Sequence, residues 1–288
     1  MKRFFAGFEK RAFTGTAFGA GVGAGGAYAT AKKEMEVSKL REATIERSPS
    51  LTAFIKKLQP GDVIYSGVAG GIMPSDSVAK KFGFRAIPLV SGDLKYHSMV
   101  YTGRGKVIDA ARRRDLGEGN RTPDIAEIPL QKKLRSLKRN EYTLTAYRPI
   151  GDDRDDRRRA VERARSLIGG RYPDDLEITG KALKVLVGIP GRKGAITKDE
   201  PLVCQDTAIK AYPDKFPKRH LTVSEMQYNP NFTPVARAGS HTYSPEEQIL
   251  AQNTYPLLKG LRAGLKGAAV GAIADIIGKR VKNKRRQS

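Results

Sequence analysis

Tyr96-His97-Ser98-Met99-Val100-Tyr101-Thr102-Gly103-Arg104-Gly105-Lys106-Val107-Ile108-Asp109-Ala110 reads as a strand, a tight turn and a second strand. β-Branched and aromatic residues fill both arms, and Arg104-Gly105 is a two-residue connection of hairpin type. Antiparallel pairing of the arms returns Asp109 to the start of its neighbour, near His97. An imidazole beside a carboxylate is the orienting half of a nucleophilic site, and it lacks only the nucleophile.

The chain has one cysteine, in Leu202-Val203-Cys204-Gln205-Asp206-Thr207-Ala208-Ile209-Lys210-Ala211-Tyr212. Cys204 stands where an apolar pair ends and a helical pattern begins, with Pro201 before the run and Pro213 closing it. A thiol at a helix start faces unpaired backbone N–H groups and the positive end of the helix dipole, both of which favour thiolate. Its bases can come only from His97, His220 and His241. The ordinary behaviour of a lone cysteine is that of a small buried hydrophobe, so the histidine strand is what gives Cys204 a chemical reading.

Outward from these two stretches the periodicities define an α+β domain with a small antiparallel sheet packed on helices. Ser48-Pro49-Ser50 breaks a charged helical stretch from Lys32 to Arg47, and Leu51, Phe54, Ile55 and Leu58 follow at helical spacing. Gln59-Pro60-Gly61-Asp62 turns into a first strand through Val63-Ile64-Tyr65, and Gly67 to Gly92 reads as a glycine-rich insertion or flap. Further strands are expected at Ile125 to Leu130 and Tyr142 to Arg148, with the basic Gln131 to Asn140 run between them. Asp152 to Ile168 is a helix whose inner stripe is Ala160, Val161, Ala164 and Leu167, stopped by Gly169-Gly170. A second apolar helical pattern covers Ile178 to Ile189. Beyond Pro213 the proline and asparagine content predicts an extended segment to about Ser244, with His220 and His241 as solvated loop residues.

Both ends differ from this middle. Phe13 to Ala31 is uncharged and built mainly of Gly, Ala and Thr, with Gly15, Gly19 and Gly23 four apart, behind a basic, aromatic Met1 to Ala12. A secretory signal, a glycine-rich arm and a membrane-inserting or self-packing helix all fit that composition. Leu257 to Ile277 repeats the theme with Gly260 and Gly264, then Gly267 and Gly271, and ends in the basic run Lys279 to Arg286. An amphipathic helix with such a tail suits an anionic membrane surface. The sequence therefore divides into 1–47, 48–245 and 246–288.

Lys and Arg number 53 against 30 Asp and Glu, a net charge of +23 that points to a polyanionic neighbour. One cysteine and three histidines exclude an intrachain disulfide framework and offer no metal-ligand spacing, so neither a metal nor another cofactor is expected. Without tryptophan and with few aromatics, the stacking platforms of single-strand nucleic-acid binders are lacking, which places nucleic acid behind an envelope polymer or lipid as a partner.

The order of signals, Gly61-Asp62 on a first strand, His97 heading a second, Asp109 ending a third, a helix closed by Gly169 and Cys204 opening a late helix, resembles the circularly permuted branch of the papain-like, NlpC-type cysteine hydrolases. That branch includes the YiiX-like proteins and the lecithin retinol acyltransferase group, and the resemblance runs from about Leu58 to Tyr212. It implies a permuted papain-like domain in which Cys204 is the nucleophile, His97 its base and Asp109 the residue that orients the imidazole. Asp62 falls in the family's Gly-Asp turn, a structural position there. Gln205-Asp206 stands where many relatives have Ser-Glu.

Three functions follow as expectations. The first is a peptidoglycan endopeptidase or amidase at the bacterial envelope, carried in a phage virion or ejection apparatus alongside other virion proteins. The second is a lipid acyl hydrolase or acyltransferase held to a membrane by its basic ends. The third is a structural virion or membrane-associated protein that keeps the fold without catalysis.

Overall fold

The computed structural model describes residues 24–68, 95, 97–111, 123–136, 142–174, 177, 196–216, 221–239, 256–257, 259–261 and 263–264. Outside them lie Met1 to Ala12, most of the Gly67 to Gly92 insertion, the apolar pattern from Ile178 to Ile189, His220, His241 and the terminal basic run. Contacts divide the chain into a larger unit, Glu34–Thr254, and a smaller one, Met1–Lys33 with Tyr255–Ser288. The sequence pattern had placed its boundaries at 47/48 and 245/246.

The larger unit is a mixed α+β fold around one antiparallel sheet. Its strands are β1 (Val63–Val68), β2 (His97–Gly103), β3 (Lys106–Ala110), β4 (Ile125–Pro129), β5 (Tyr142–Pro149) and β6 (Phe232–Gly239), in the spatial order β4-β3-β2-β1-β5-β6. The helices are α1 (Leu51–Lys57), α2 (Leu130–Ser136), α3 (Arg154–Arg165), α4 (Cys204–Ala211) and α5 (Val223–Gln227). Alternation along the strands separates two cores. Val63, Tyr65, Val100, Ile108, Ala110 and Tyr147 pack with Ala160 and Ala164 of α3, Ala208 and Ile209 of α4, and Met226 of α5. Their neighbours Ile64, Met99, Tyr101, Val107, Leu144 and Ala146 pack with Phe54 and Leu58 around α1 and with Leu130 and Leu134 of α2. The sheet is thus covered on both faces.

Local chemistry explains the element ends. Ser50 caps α1 by accepting from the Ala53 N–H at 3.1 Å. Asp153 and Asp156 form a reciprocal capping box at the start of α3, whose Ala160, Val161 and Ala164 are buried as the stripe required. The β2–β3 turn places Arg104 at φ 51 and Gly105 at φ 72, both left-handed, as a tight hairpin turn demands.

The segment after Pro213 departs from the extended coil expected of it, because it contains α5 and the edge strand β6. Thr222 and Glu225 form a capping box that starts α5, and Val223 and Met226 bury on its inner side. Phe232 to Gly239 alternates buried and half-buried positions along β5. Pro234 argued against a strand, but β6 is the last strand of the sheet and the register shifts opposite it, between Ala146 and Tyr147. A missing N–H is tolerated at such a place. Residues 47–48 lie along the same strand, through a parallel bridge from Arg47 to Arg237 and a 2.8 Å bond from the Ser48 N–H to the Arg237 carbonyl.

The helical residues 34–43 belong to this unit through a half-buried carboxylate. Both oxygens of Glu42 accept from Lys95 Nζ at 2.7 Å, while Thr145 Oγ1 donates at 2.8 Å and the Tyr147 hydroxyl at 3.2 Å. Burial raises the proton affinity of Glu42, but Lys95, Thr145 and Arg237 together outweigh it and hold the carboxyl below its ordinary value of 4.5. In the smaller unit, the described residues 24–33 are helical, and a Cβ on Gly260 would come within 3.1 Å of the Ala24 carbonyl oxygen. Glycine therefore permits close helix approach there. No helix among the described residues is long and apolar enough to cross a membrane.

A folded-state value below the unfolded one makes Glu42 stabilising above pH 4.5, with that contribution lost as pH falls through the depressed folded value. Glu42→Gln should accordingly be less stable than the wild type at pH 7, by about 3 kcal/mol in urea unfolding, because it leaves the Lys95 ammonium buried without its counter-charge. Between pH 5 and 3 its stability should fall less steeply than that of the wild type. Parallel decline of the two proteins in acid would remove Glu42 from this role.

Candidate active site

The site forms at the end of the sheet where β2 begins, and α4 is held in place by bonds at both of its ends. At its C-terminal end the Tyr212 hydroxyl donates to the Gly61 carbonyl at 2.6 Å, and Arg163 donates to the Ala211 carbonyl through Nε at 2.9 Å and a terminal nitrogen at 2.7 Å. Gly61 sits at φ +95, where an added Cβ would lie 2.6 Å from the Tyr212 oxygen, so only glycine fits this turn. Its neighbour Asp62 is fully buried and accepts from Arg148 Nε at 2.8 Å, from the Arg148 terminal nitrogen at 2.9 Å and from the Gln59 N–H at 2.7 Å. The Gly-Asp pair singled out in the sequence is therefore a clamp between β1, β5 and the last turn of α4.

At the other end of α4, the Asp206 carboxylate accepts from the Val203 N–H at 2.8 Å and the Leu202 N–H donates to the Arg171 carbonyl at 2.9 Å. These bonds fix the first turn, from which Cys204 projects.

His97 and Asp109 meet across the hairpin through a shift in its register. The last β2–β3 pair is Val100 with Ile108, because the ladder shifts by one residue at Thr102; the unshifted register would set Asp109 opposite Val100 and on the other face from His97. His97 Nε2 and Asp109 Oδ1 are 2.5 Å apart, and Asp109 is fully buried. The second carboxylate oxygen accepts from Lys133 Nζ at 3.0 Å, with the lysine side chain 2 % exposed.

The sulfur meets this group where the pairing of β2 with β3 has ended. β1 continues to pair with β2 as far as His97, and β4 with β3 as far as Ala110, whereas β2 and β3 no longer pair beyond Val100 and Ile108. The ladder between these two strands ends there. Cys204 takes hydrogen bonds from the Ser98 backbone and from the His97 side chain. It lies 3.1 Å from Gln205 Oε1, which accepts from the thiol; half a turn of that carboxamide presents its NH2 to a thiolate.

The electrostatics of the pair are reciprocal. Burial disfavours the Cys204 thiolate, but the adjacent imidazolium, its hydrogen bond and the Ser98 N–H prevail, so the thiol lies below its ordinary value of 9.0. Burial and Lys133 push His97 down, while Cys204 and Asp109 outweigh them and hold it above its ordinary value of 6.5. Both shifts favour the thiolate–imidazolium pair, the form in which a cysteine attacks a carbonyl.

All three residues singled out in the sequence, Cys204, His97 and Asp109, are thus brought together. Lys133 was not singled out. It lay inside the basic Gln131 to Asn140 run, which read as a polar connection; the available signal was Leu130 and Leu134, four apart, which bury one side of a helix and carry Lys133 inward with them. Among the described residues no cluster of three or more His, Cys, Asp or Glu could hold a metal ion. Compared with models of known protein families and with curated protein sequences, the chain matches none.

The coupling of sulfur to imidazole is measurable without a substrate. Iodoacetamide should label Cys204 at pH 6.5 far faster than a free thiol, of which only about 1 % is thiolate at that pH. His97→Gln should slow that labelling at least tenfold, to roughly the rate a free thiol gives there. Equal labelling of the two proteins across pH 5–8 would separate the thiol from the histidine.

Proposed function

We propose that the chain is a cysteine hydrolase of amide bonds that acts on peptidoglycan at the bacterial envelope, on a permuted papain-like, NlpC-type domain. The observation that carries this reading is the convergence of three residues remote in sequence: the Cys204 sulfur hydrogen-bonded to His97, and His97 in turn 2.5 Å from a fully buried Asp109. A thiol, a base and an orienting carboxylate in that order constitute a nucleophilic relay.

In the proposed reaction His97 takes the Cys204 proton and the thiolate adds to the amide carbonyl carbon. The developing oxyanion is met by the backbone N–H groups of the first turn of α4. The imidazolium then protonates the departing amine as the C–N bond breaks, leaving a thioester. Water gives a proton to His97 and its hydroxyl to the acyl carbon, which releases the carboxylate and restores the thiol. Asp109 holds the imidazole in the tautomer and orientation that both transfers need.

The substrate class follows from charge and chemistry. A net charge of +23 favours an anionic polymer, and peptidoglycan is an anionic one crosslinked by amide bonds. The glycine-spaced ends and the basic terminal run suit a protein delivered to the envelope, as a phage virion or ejection component is.

Wild type and Cys204→Ala should be incubated with purified sacculi and, in parallel, with anionic phospholipid vesicles. The proposal expects new amino termini released from sacculi by the wild type, a loss of at least about a thousandfold in Cys204→Ala, and no acyl release from vesicles. Release of fatty acid without action on sacculi would make the protein a lipid acyl hydrolase. Equal inactivity of both proteins on both substrates would make it a structural protein.

A further inference from the structure

We propose that Lys133 is a positioning residue of the site, whose ammonium group keeps Asp109 compensated at the moment His97 gives up its proton, so that the imidazolium can pass that proton on. The inference rests on the hydrolase reading given above.

The geometry is that of one carboxylate shared by two cations. Asp109 Oδ1 faces His97 Nε2 at 2.5 Å and Asp109 Oδ2 faces Lys133 Nζ at 3.0 Å, with Asp109 fully buried and Lys133 2 % exposed. The titratable groups that face the imidazole are Asp109 from β3, Lys133 from α2 and Cys204 from α4. Along the site the charges alternate: thiolate, imidazolium, carboxylate, ammonium.

With only His97 beside it, a buried carboxylate would bind the imidazolium so strongly that loss of its proton would leave an uncompensated charge out of water, which is costly. A second cation on the other oxygen removes that cost. When the thioester forms, the imidazolium Nδ1 proton goes to the amine nitrogen, because Nε2 faces Asp109; the C–N bond breaks, and the neutral imidazole remains beside an Asp109 still paired with Lys133. Lys133 accordingly opposes protonation of His97, in the direction its charge imposes. Its position is specific: α2 follows β4 directly, and β4 pairs with β3 so that Ala126 stands opposite Asp109, which brings the first turns of α2 over the β3 carboxylate.

The test follows the imidazole itself. The chain has three histidines, so His97 can be assigned in NMR spectra of ring-labelled protein by its absence from His97→Gln. In Lys133→Met the midpoint of His97 should move upward by about one pH unit, the order expected for deleting one nearby charge at an effective dielectric of about 20. In Lys133→Arg, which keeps the charge, the midpoint should stay within a few tenths of a unit of wild type, and release from sacculi should be retained, whereas Lys133→Met should lose at least tenfold.

If Lys133→Met does not fold, Lys133→Gln serves the same comparison. An unmoved midpoint in the uncharged variant, or an equal shift in Lys133→Arg, overturns the proposal even if sacculi are cleaved. The expected shift in a wild type inert on sacculi overturns the hydrolase reading and, with it, the catalytic use of Lys133.

Discussion

A carboxylate with no access to water must be surrounded by the charges and donors that water would otherwise supply, and Asp109 is such a group. It cannot sit on β3 unless His97 and Lys133 arrive at its two oxygens. That requirement links three elements that are separated in the chain: the start of β2, the end of β3 and the first turns of α2. Removing either cation weakens the compensation of the carboxylate, so the cost of disturbing the site falls on the stability of the sheet as well as on chemistry. The same dependence explains why a lysine faces inward from a helix whose other buried residues are leucines.

The second constraint is the end of the β2–β3 ladder. A continuous ladder would spend the Ser98 N–H on its neighbour strand and leave no space for a side chain from α4. Because the ladder ends at Val100 and Ile108, the Ser98 N–H turns to the Cys204 sulfur instead. The backbone group is satisfied either way, as buried donors must be. The helix that carries the sulfur is tied down at both ends, by Tyr212 on the Gly61 carbonyl and by the Leu202 N–H on the Arg171 carbonyl. Asp62 with Arg148 joins the first of these contacts to the central strands. Site and scaffold are in this sense one network, with charge pairs closing each corner.

Much of this was written locally in the sequence. The hairpin from Tyr96 to Ala110 declared both its strands, but the meeting of His97 with Asp109 also needed the one-residue register shift at Thr102, without which Asp109 would face Val100. The start of α4 at Cys204 followed from an apolar pair giving way to helical spacing. What stayed hidden depended on partners far along the chain. Glu42 looked like one more charge on a polar helix until Lys95, Thr145 and Tyr147 enclosed it. Lys133 was lost in a basic run beside its exposed neighbours Gln131 and Lys132, although the spacing of Leu130 and Leu134 marked the inward side of that helix. Pro234 concealed β6, since a proline in a strand is tolerated only at an edge, and edge position is a property of the whole sheet. The Thr222 to Glu225 capping box, by contrast, was a local signal for α5.

The central claim is spatial: sulfur and imidazole, remote in the chain, meet where the pairing of β2 with β3 has ended. Treatment with 1,3-dibromoacetone, whose two reactive carbons span only a few ångströms, followed by proteolysis and mass spectrometry, tests it most directly. The account predicts a three-carbon bridge joining the peptide of Cys204 to that of His97, absent from Cys204→Ala and from His97→Gln. A sulfur alkylated at one end only, or bridged to His220 or His241, would contradict it.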